Sequence, residues 1–183
     1  NWKTFENLCN KLSLPGVSEL CESLGERMVM CPASHKDSMH GCYPGGMIEH
    51  CLEVASTMRK INDAMSLNLD TRSILKVALF HDVGRIGSVD EEMYIPQDSE
   101  WHREKLGQLY KFNESLSKMS VSHRSLSLLQ SFGVSLTQEE WIAIQLAPGS
   151  HFEENRFYVG NEPTLALVLQ QSKALVIHKS KHS

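Results

Sequence analysis

The sequence predicts an all-α fold in a single domain, and three observations lead there. Apolar residues recur at spacings of three and four along nearly every readable segment, stretches of alternating polarity are almost absent, and breakers such as Pro15-Gly16 and Pro148-Gly149 punctuate the chain. With 183 residues, 41% hydrophobic and 22% charged, the chain suits one compact core without a linker.

Two short amphipathic helices are expected first, from about Trp2 to Leu12 and from about Val17 to Met30, separated by Pro15-Gly16. From Cys31 to Gly46 the chain carries Pro32, Gly41, Pro44, Gly45 and Gly46, a loop composition, with His35, His40 and Tyr43 set among them. Gly46 opens a helix whose stripe Met47, Cys51, Leu52, Ala55, Met58 and Ile61 faces a core, and His50 sits at the edge of that stripe. Asp70 or Thr71 caps the next helix, Ile74 to Val83, which is apolar nearly all round and is closed by Gly84. Gly87 to Gln97 reads as a loop, and Trp101 to about Leu116 as a further helix. Another helix spans Ser122 to Phe132 with His123 in its first turn. Thr137 and Glu140 form a capping box ahead of Trp141, Ile142, Ile144 and Leu146, and the last helix begins near Pro163 and runs through Ile177. The methionines at 28, 30, 47, 58 and 65 are read as core filler with Trp2, Phe5, Phe80 and Phe132, and Trp101, Tyr110 and Phe112 as packing rather than a stacking pocket.

Composition removes several classes of function. No apolar stretch is long enough to span a bilayer, so no membrane partner is expected. A net charge of −4 gives no field to gather nucleic acid, and the basic run His178-Lys179-Ser180-Lys181-His182 reads as a short solvated tail. Cys9, Cys21, Cys31, Cys42 and Cys51 are an odd set with no Cys-x-x-Cys pair, which argues for reduced thiols. No apolar leader follows Asn1, and a cytoplasmic setting is expected.

The polarity worth explaining lies in Leu75-Lys76-Val77-Ala78-Leu79-Phe80-His81-Asp82-Val83-Gly84-Arg85, where an imidazole and a carboxylate end an apolar helical run. A buried aspartate without a partner is costly, so the pair asks for a cation or an ion. His50, His81, Asp82 and His123 supply the nitrogen and oxygen ligands that divalent transition metals take, although spacing alone does not bring different helices together.

These residues also carry a resemblance. Met30-Cys31-Pro32-Ala33-Ser34, then His40-Gly41-Cys42-Tyr43-Pro44-Gly45-Gly46-Met47-Ile48-Glu49-His50, then His81-Asp82-Val83-Gly84-Arg85 are similar to the small single-domain members of the HD superfamily of metal-dependent phosphohydrolases. The likeness continues through Ser122-His123 with Ser125, Leu136-Thr137-x-Glu139-Glu140, Asn155, Tyr158 and Glu162, from about Met30 to Ile177. It implies an HD-type helical bundle over residues 1–183, with N-terminal helices at 1–30, the HD core at 31–178 and a tail at 179–183. It further implies a divalent metal (Mn, Fe, Ni, Zn or Mg) held by His50, His81, Asp82 and a late aspartate, with water polarised on it to attack a phosphoester, usually of a nucleotide. The implied catalytic group is His81, Asp82, His123 and Arg85, with Arg85, Lys173 and His40 as ligand-binding candidates. Arg85 stands where the family commonly has lysine, and keeps the charge with bidentate capacity.

Two departures weigh against turnover. Ala147 occupies the place of an expected ligand histidine, and in the last helix the register puts Gln170 and Lys173 where a histidine and the ligating aspartate belong. Three arrangements are open for Lys173. Its ammonium pairs with Asp82 in place of the ion. Alternatively it is a desolvated neutral amine that coordinates or acts as a base. In the third the register is shifted, and His151, Glu153, Glu154 or His178 completes the site. The first is preferred. The expected function is therefore a phosphate-bearing ligand or nucleotide, or a protein partner, bound with weak or no hydrolysis, with a divalent metal if the site is intact and none otherwise; the alternative is an active metal-dependent phosphohydrolase.

Overall fold

The computed structural model describes residues 1–182 and is all-helical apart from one small ribbon. Helices α1 (Trp2–Leu12) and α2 (Val17–Met30) form where the periodicity puts them. Helix α3 (Gly46–Met65) runs one turn beyond its apolar stripe. Helix α4 (Thr71–Phe80) starts on Asp70, whose carboxylate accepts from the Ser73 N–H at 2.9 Å. It stops before His81 rather than continuing to Val83, because Asp82 leaves helical geometry (φ −107°, ψ 4°) and the chain tightens into a 3-10 turn at Val83–Ile86.

The largest departure from expectation lies between residues 88 and 119. Instead of a helix from Trp101 to Leu116, a short α5 (Glu100–Leu106) is closed by Gly107 in the left-handed conformation (φ 60°). The chain then returns as β2 (Tyr110–Phe112), antiparallel to β1 (Tyr94–Pro96), with Tyr94 opposite Phe112 and Pro96 opposite Tyr110. A left-handed glycine at the helix end and two aromatic residues alternating with lysine favour the turn and the pleat over a continued helix. Trp101, read as packing, is 58% exposed.

Helix α6 (Val121–Ser131) is capped by Ser120, and α7 (Gln138–Leu146) carries both halves of the Thr137–Glu140 capping box. After a 3-10 turn at Glu153–Tyr158, α8 (Thr164–Lys181) continues through residues read as a loose tail, and only Ser183 lies outside the described residues. The sequence of α8 permits this, because no proline or glycine interrupts it after Pro163.

Helix α3 packs against α4 and α8, α7 against α8, and α6 against the 83–86 turn. Their buried faces join in one apolar cluster that includes Phe5, Leu20, Met58, Val77, Phe80, Leu129, Ile144 and Leu169. Met28, Met47 and Met58 are in it, whereas Met30 and Met65 are exposed. One ion pair is buried beside the cluster: Lys76 Nζ lies 2.7 Å from Glu140 Oε2, and Ser73 Oγ donates to the other oxygen at 2.7 Å. All five cysteines are unbridged, and among the described residues no helix is long and apolar enough to cross a membrane.

Candidate ion and anion site

Where α3, α4, the 83–86 turn and α8 meet, one buried carboxylate has four nitrogen neighbours. Asp82 Oδ2 accepts from Arg85 Nε at 2.8 Å, and Asp82 Oδ1 accepts from Lys173 Nζ at 3.0 Å. His50 Nε2 stands 3.9 Å from Oδ2, and His81 Nε2 stands 3.6 Å from Oδ1.

Local folding explains how each side chain arrives. His50 lies one turn into α3 and is 3% exposed. His81 caps the C-terminus of α4, and its Nδ1 sits 2.9 Å from the Ala78 carbonyl oxygen, so Nδ1 carries the proton and donates. That leaves Nε2 as a lone pair, buried and without a hydrogen-bond partner, as are both nitrogens of His50. The turn holding Asp82 is pinned from α6: the Gly84 N–H donates to Ser125 Oγ at 2.8 Å, and that hydroxyl is within donor reach of the His81 carbonyl oxygen at 2.9 Å. Gly84 is required by the closeness of α6, since a Cβ there would lie 2.3 Å from the Val121 oxygen.

Electrostatics follow from the geometry. Burial alone would raise the Asp82 pKa, but Arg85 and Lys173 hold it well below the usual carboxylate range, so the group is ionised. Burial pushes the His81 imidazole down to about 4 and His50 well below its ordinary value, in each case against the pull of Asp82, so both rings are neutral. Burial opposes the charge on Arg85, and Asp82 reverses that and raises its pKa. Asp82, Arg85 and Lys173 together leave one net positive charge in this cluster.

Of the residues singled out in the sequence, His50, His81, Asp82, Arg85 and Lys173 come together. His40 joins at the margin, its ring centroid 4.8 Å from that of His50 and its Nε2 buried without a partner. His123 does not join them. On α6 the buried positions are Ser122, Arg124, Ser125, Leu126, Leu128 and Leu129, whereas His123 is exposed to solvent. The rescue candidates His151, Glu153, Glu154 and His178 are all exposed. Gln170 turns toward the end of α7, donating to the Leu146 carbonyl oxygen at 2.8 Å and to Ser150 Oγ at 2.9 Å, and Ala147 is buried as an apolar residue.

Sequence reasoning missed Tyr94, whose hydroxyl accepts from Arg85 Nη1 at 2.9 Å. It also missed Arg27, which clamps the 86–91 loop by donating to the carbonyl oxygens of Val89 at 2.9 Å and Glu91 at 2.6 Å. Arg27 meets its partners only across the fold, and Tyr94, nine residues from Arg85, reaches it only once the loop between them is folded. Tyr110, read as packing, borders a cavity beside Arg85, and a second cavity of about 210 Å³ reaches His40 and His50.

The ligand atoms of His50, His81 and Asp82 all lie within 4.8 Å of one another, close enough to hold a single metal ion. Comparison with known proteins gives a match to the family described as HD domain over residues 47–170. No curated protein and no solved structure matches the chain.

Proposed function

The chain belongs to the HD domain family, and from that premise we propose that it binds a small phosphate-bearing ligand, a nucleotide among the candidates, with Lys173 standing where related proteins hold a metal ion, so that hydrolysis is weak or absent. The observation that carries this reading is the 3.0 Å hydrogen bond from Lys173 Nζ to Asp82 Oδ1.

HD domains usually hold divalent ions, and part of a ligand set is present here: two imidazole lone pairs and a carboxylate. On this reading they do not fit a resident dication. Both oxygens of Asp82 are already taken by cationic donors, and Lys173 supplies positive charge where a fourth ligand would supply negative charge. Like charges at such a separation repel by several kcal/mol even at an effective dielectric constant near 20, at roughly 4 kcal/mol per pair of unit charges 4 Å apart.

The residues then act as follows. Asp82 is ionised and orients Arg85 through Nε, and Tyr94 fixes Nη1, so the remaining N–H groups of the guanidinium are held ready for an anion. Lys173 offsets the charge of Asp82 and leaves Arg85 free to attract that anion. The unbridged cysteines support a reducing, cytoplasmic setting.

A second reading, an active metal-dependent phosphohydrolase, is favoured by the unpaired Nε2 atoms of His50 and His81, since buried polar atoms without partners ask for one. Metal analysis of the purified protein, together with phosphate release from a panel of nucleotides and phosphomonoesters, decides between them. The first reading expects folded, metal-free protein that binds phosphate and releases none. Stoichiometric Mn, Fe, Ni, Zn or Mg with turnover overturns it.

A further inference from the structure

We propose that the cavity beside Arg85 is a binding site for an aromatic anion with one anionic group, one flat ring bearing a single phosphomonoester or carboxylate, and that it discriminates against polyphosphates. This rests on the reading that Arg85 anchors an anion, and adds what the rest of the ligand must be.

The cavity measures about 340 Å³ and lies between the end of α2, the 83–86 turn and the β1–β2 ribbon. That is at the small end of the range for ligand sites, roughly 300–1,000 Å³, and suits one ring with a short substituent. Its walls are built for a flat apolar body: Tyr94 and Tyr110 face it from the ribbon, and Pro32, Ile86 and Pro96 close it. The aromatic wall is assembled before any ligand arrives, because Tyr94 packs edge-on to Tyr110 at 6.2 Å and against Phe112 at 5.6 Å. Preassembly of this kind lowers the ordering cost of binding.

Charge sets the other half of the specificity. Arg85 and Arg27 both line the cavity, but Arg85 has Nε on Asp82 and Nη1 on Tyr94, and Arg27 spends Nη1 and Nη2 on the carbonyl oxygens of Val89, Ile86 and Glu91, so only part of either fork is left for a ligand. Behind Arg85, Lys173 neutralises Asp82, so the cluster as a whole, Arg85 included, presents one net positive charge. The rim carries Glu92, an exposed carboxylate that repels any further anionic group extending outward. A single anionic group is therefore matched, and a chain of phosphates is not.

The test is calorimetric titration of the full chain, in the presence of a chelator, with phenyl phosphate, benzoate, inorganic phosphate and adenosine triphosphate. Phenyl phosphate is expected to bind at least about tenfold more tightly than inorganic phosphate, from burial of its ring, and more tightly than the triphosphate. Tyr110→Ala is expected to weaken phenyl phosphate by about threefold to tenfold, the usual worth of an aromatic pair, while leaving inorganic phosphate unchanged. Glu92→Gln, at an exposed rim position, is expected to raise triphosphate affinity several-fold and phenyl phosphate affinity less. Equal affinities for phenyl phosphate and inorganic phosphate, both lost in Arg85→Gln, overturn this inference and leave the proposed function standing. Failure of every anion to bind overturns both.

Discussion

Replacing Lys173 with aspartate should convert this protein into a metal binder. The substitution removes the ammonium 3.0 Å from Asp82 Oδ1 and supplies a shorter carboxylate, changing the cluster from one net positive to one net negative charge. At about 4 kcal/mol for each pair of unit charges at 4 Å, two units of change acting on a dication give an upper bound of about 16 kcal/mol. Desolvation of a second buried carboxylate takes back most of this. If a quarter survives, about 4 kcal/mol remains, on the order of a thousandfold in affinity. The Lys173 side chain is only 12% exposed, so solvent screening removes little of the effect. The assay is titration of chelator-treated protein with Mn²⁺ or Zn²⁺, with thermal melting as a second readout, since an ion at a hundred times its Kd adds about 2.7 kcal/mol to stability. Lys173→Met is the control: it removes the charge without adding a ligand, and should gain far less. A folded Lys173→Asp protein with unchanged metal affinity would refute the placement of Lys173 as a substitute cation.

Three further outcomes follow from the same geometry. Stability should fall as pH drops from about 6.5 toward 4, since His81 and His40 have folded pKa values near 4 and the unfolded chain takes up those protons first. The slope is about 1.4 kcal/mol per pH unit for the buried His81 and smaller for the more exposed His40, and Asp82, whose folded pKa is depressed, adds its loss only below the ordinary carboxylate range; urea unfolding across pH measures this, and a flat profile would exclude neutral buried histidines. Glu140→Ala should destabilise by about 3–5 kcal/mol in the same assay by stranding buried Lys76, with Lys76→Met/Glu140→Leu recovering much of the loss, and a cost under about 1 kcal/mol for Glu140→Ala alone would show the pair to be solvated. Gly84→Ala should cost about 2 kcal/mol or more and weaken anion binding, because the added methyl meets the Val121 oxygen and Ser125 nitrogen and displaces the Asp82 turn; a neutral result would mean that α6 does not press on that turn.

The sequence by itself determined what is written in local periods and local chemistry. Helices α1 to α4 and α6 to α8 were readable because apolar spacing, the Asp70 cap and the Thr137–Glu140 box act within a turn or two of chain. His81 and Asp82 were legible because an imidazole and a carboxylate at the end of an apolar run have few other uses, whereas His50, on another helix, joined them only through the family resemblance. The ribbon at Tyr94–Pro96 and Tyr110–Phe112 was not legible, since each strand is three residues long and is stabilised by a partner many residues away. Tertiary structure alone decided which distant charge joins Asp82 and Arg85. Lys173 is 91 residues from Asp82, and among its possible settings only the fold selects the one in which its ammonium binds that carboxylate. The fold also turned His123 out to solvent, because rotation about a helix axis is fixed by which face packs, and α6 packs on the side of Ser122 and Ser125. A buried carboxylate must be compensated, and the sequence states that requirement; Arg85, three residues on, meets part of it locally, and Lys173 meets the rest only because the fold brings it there.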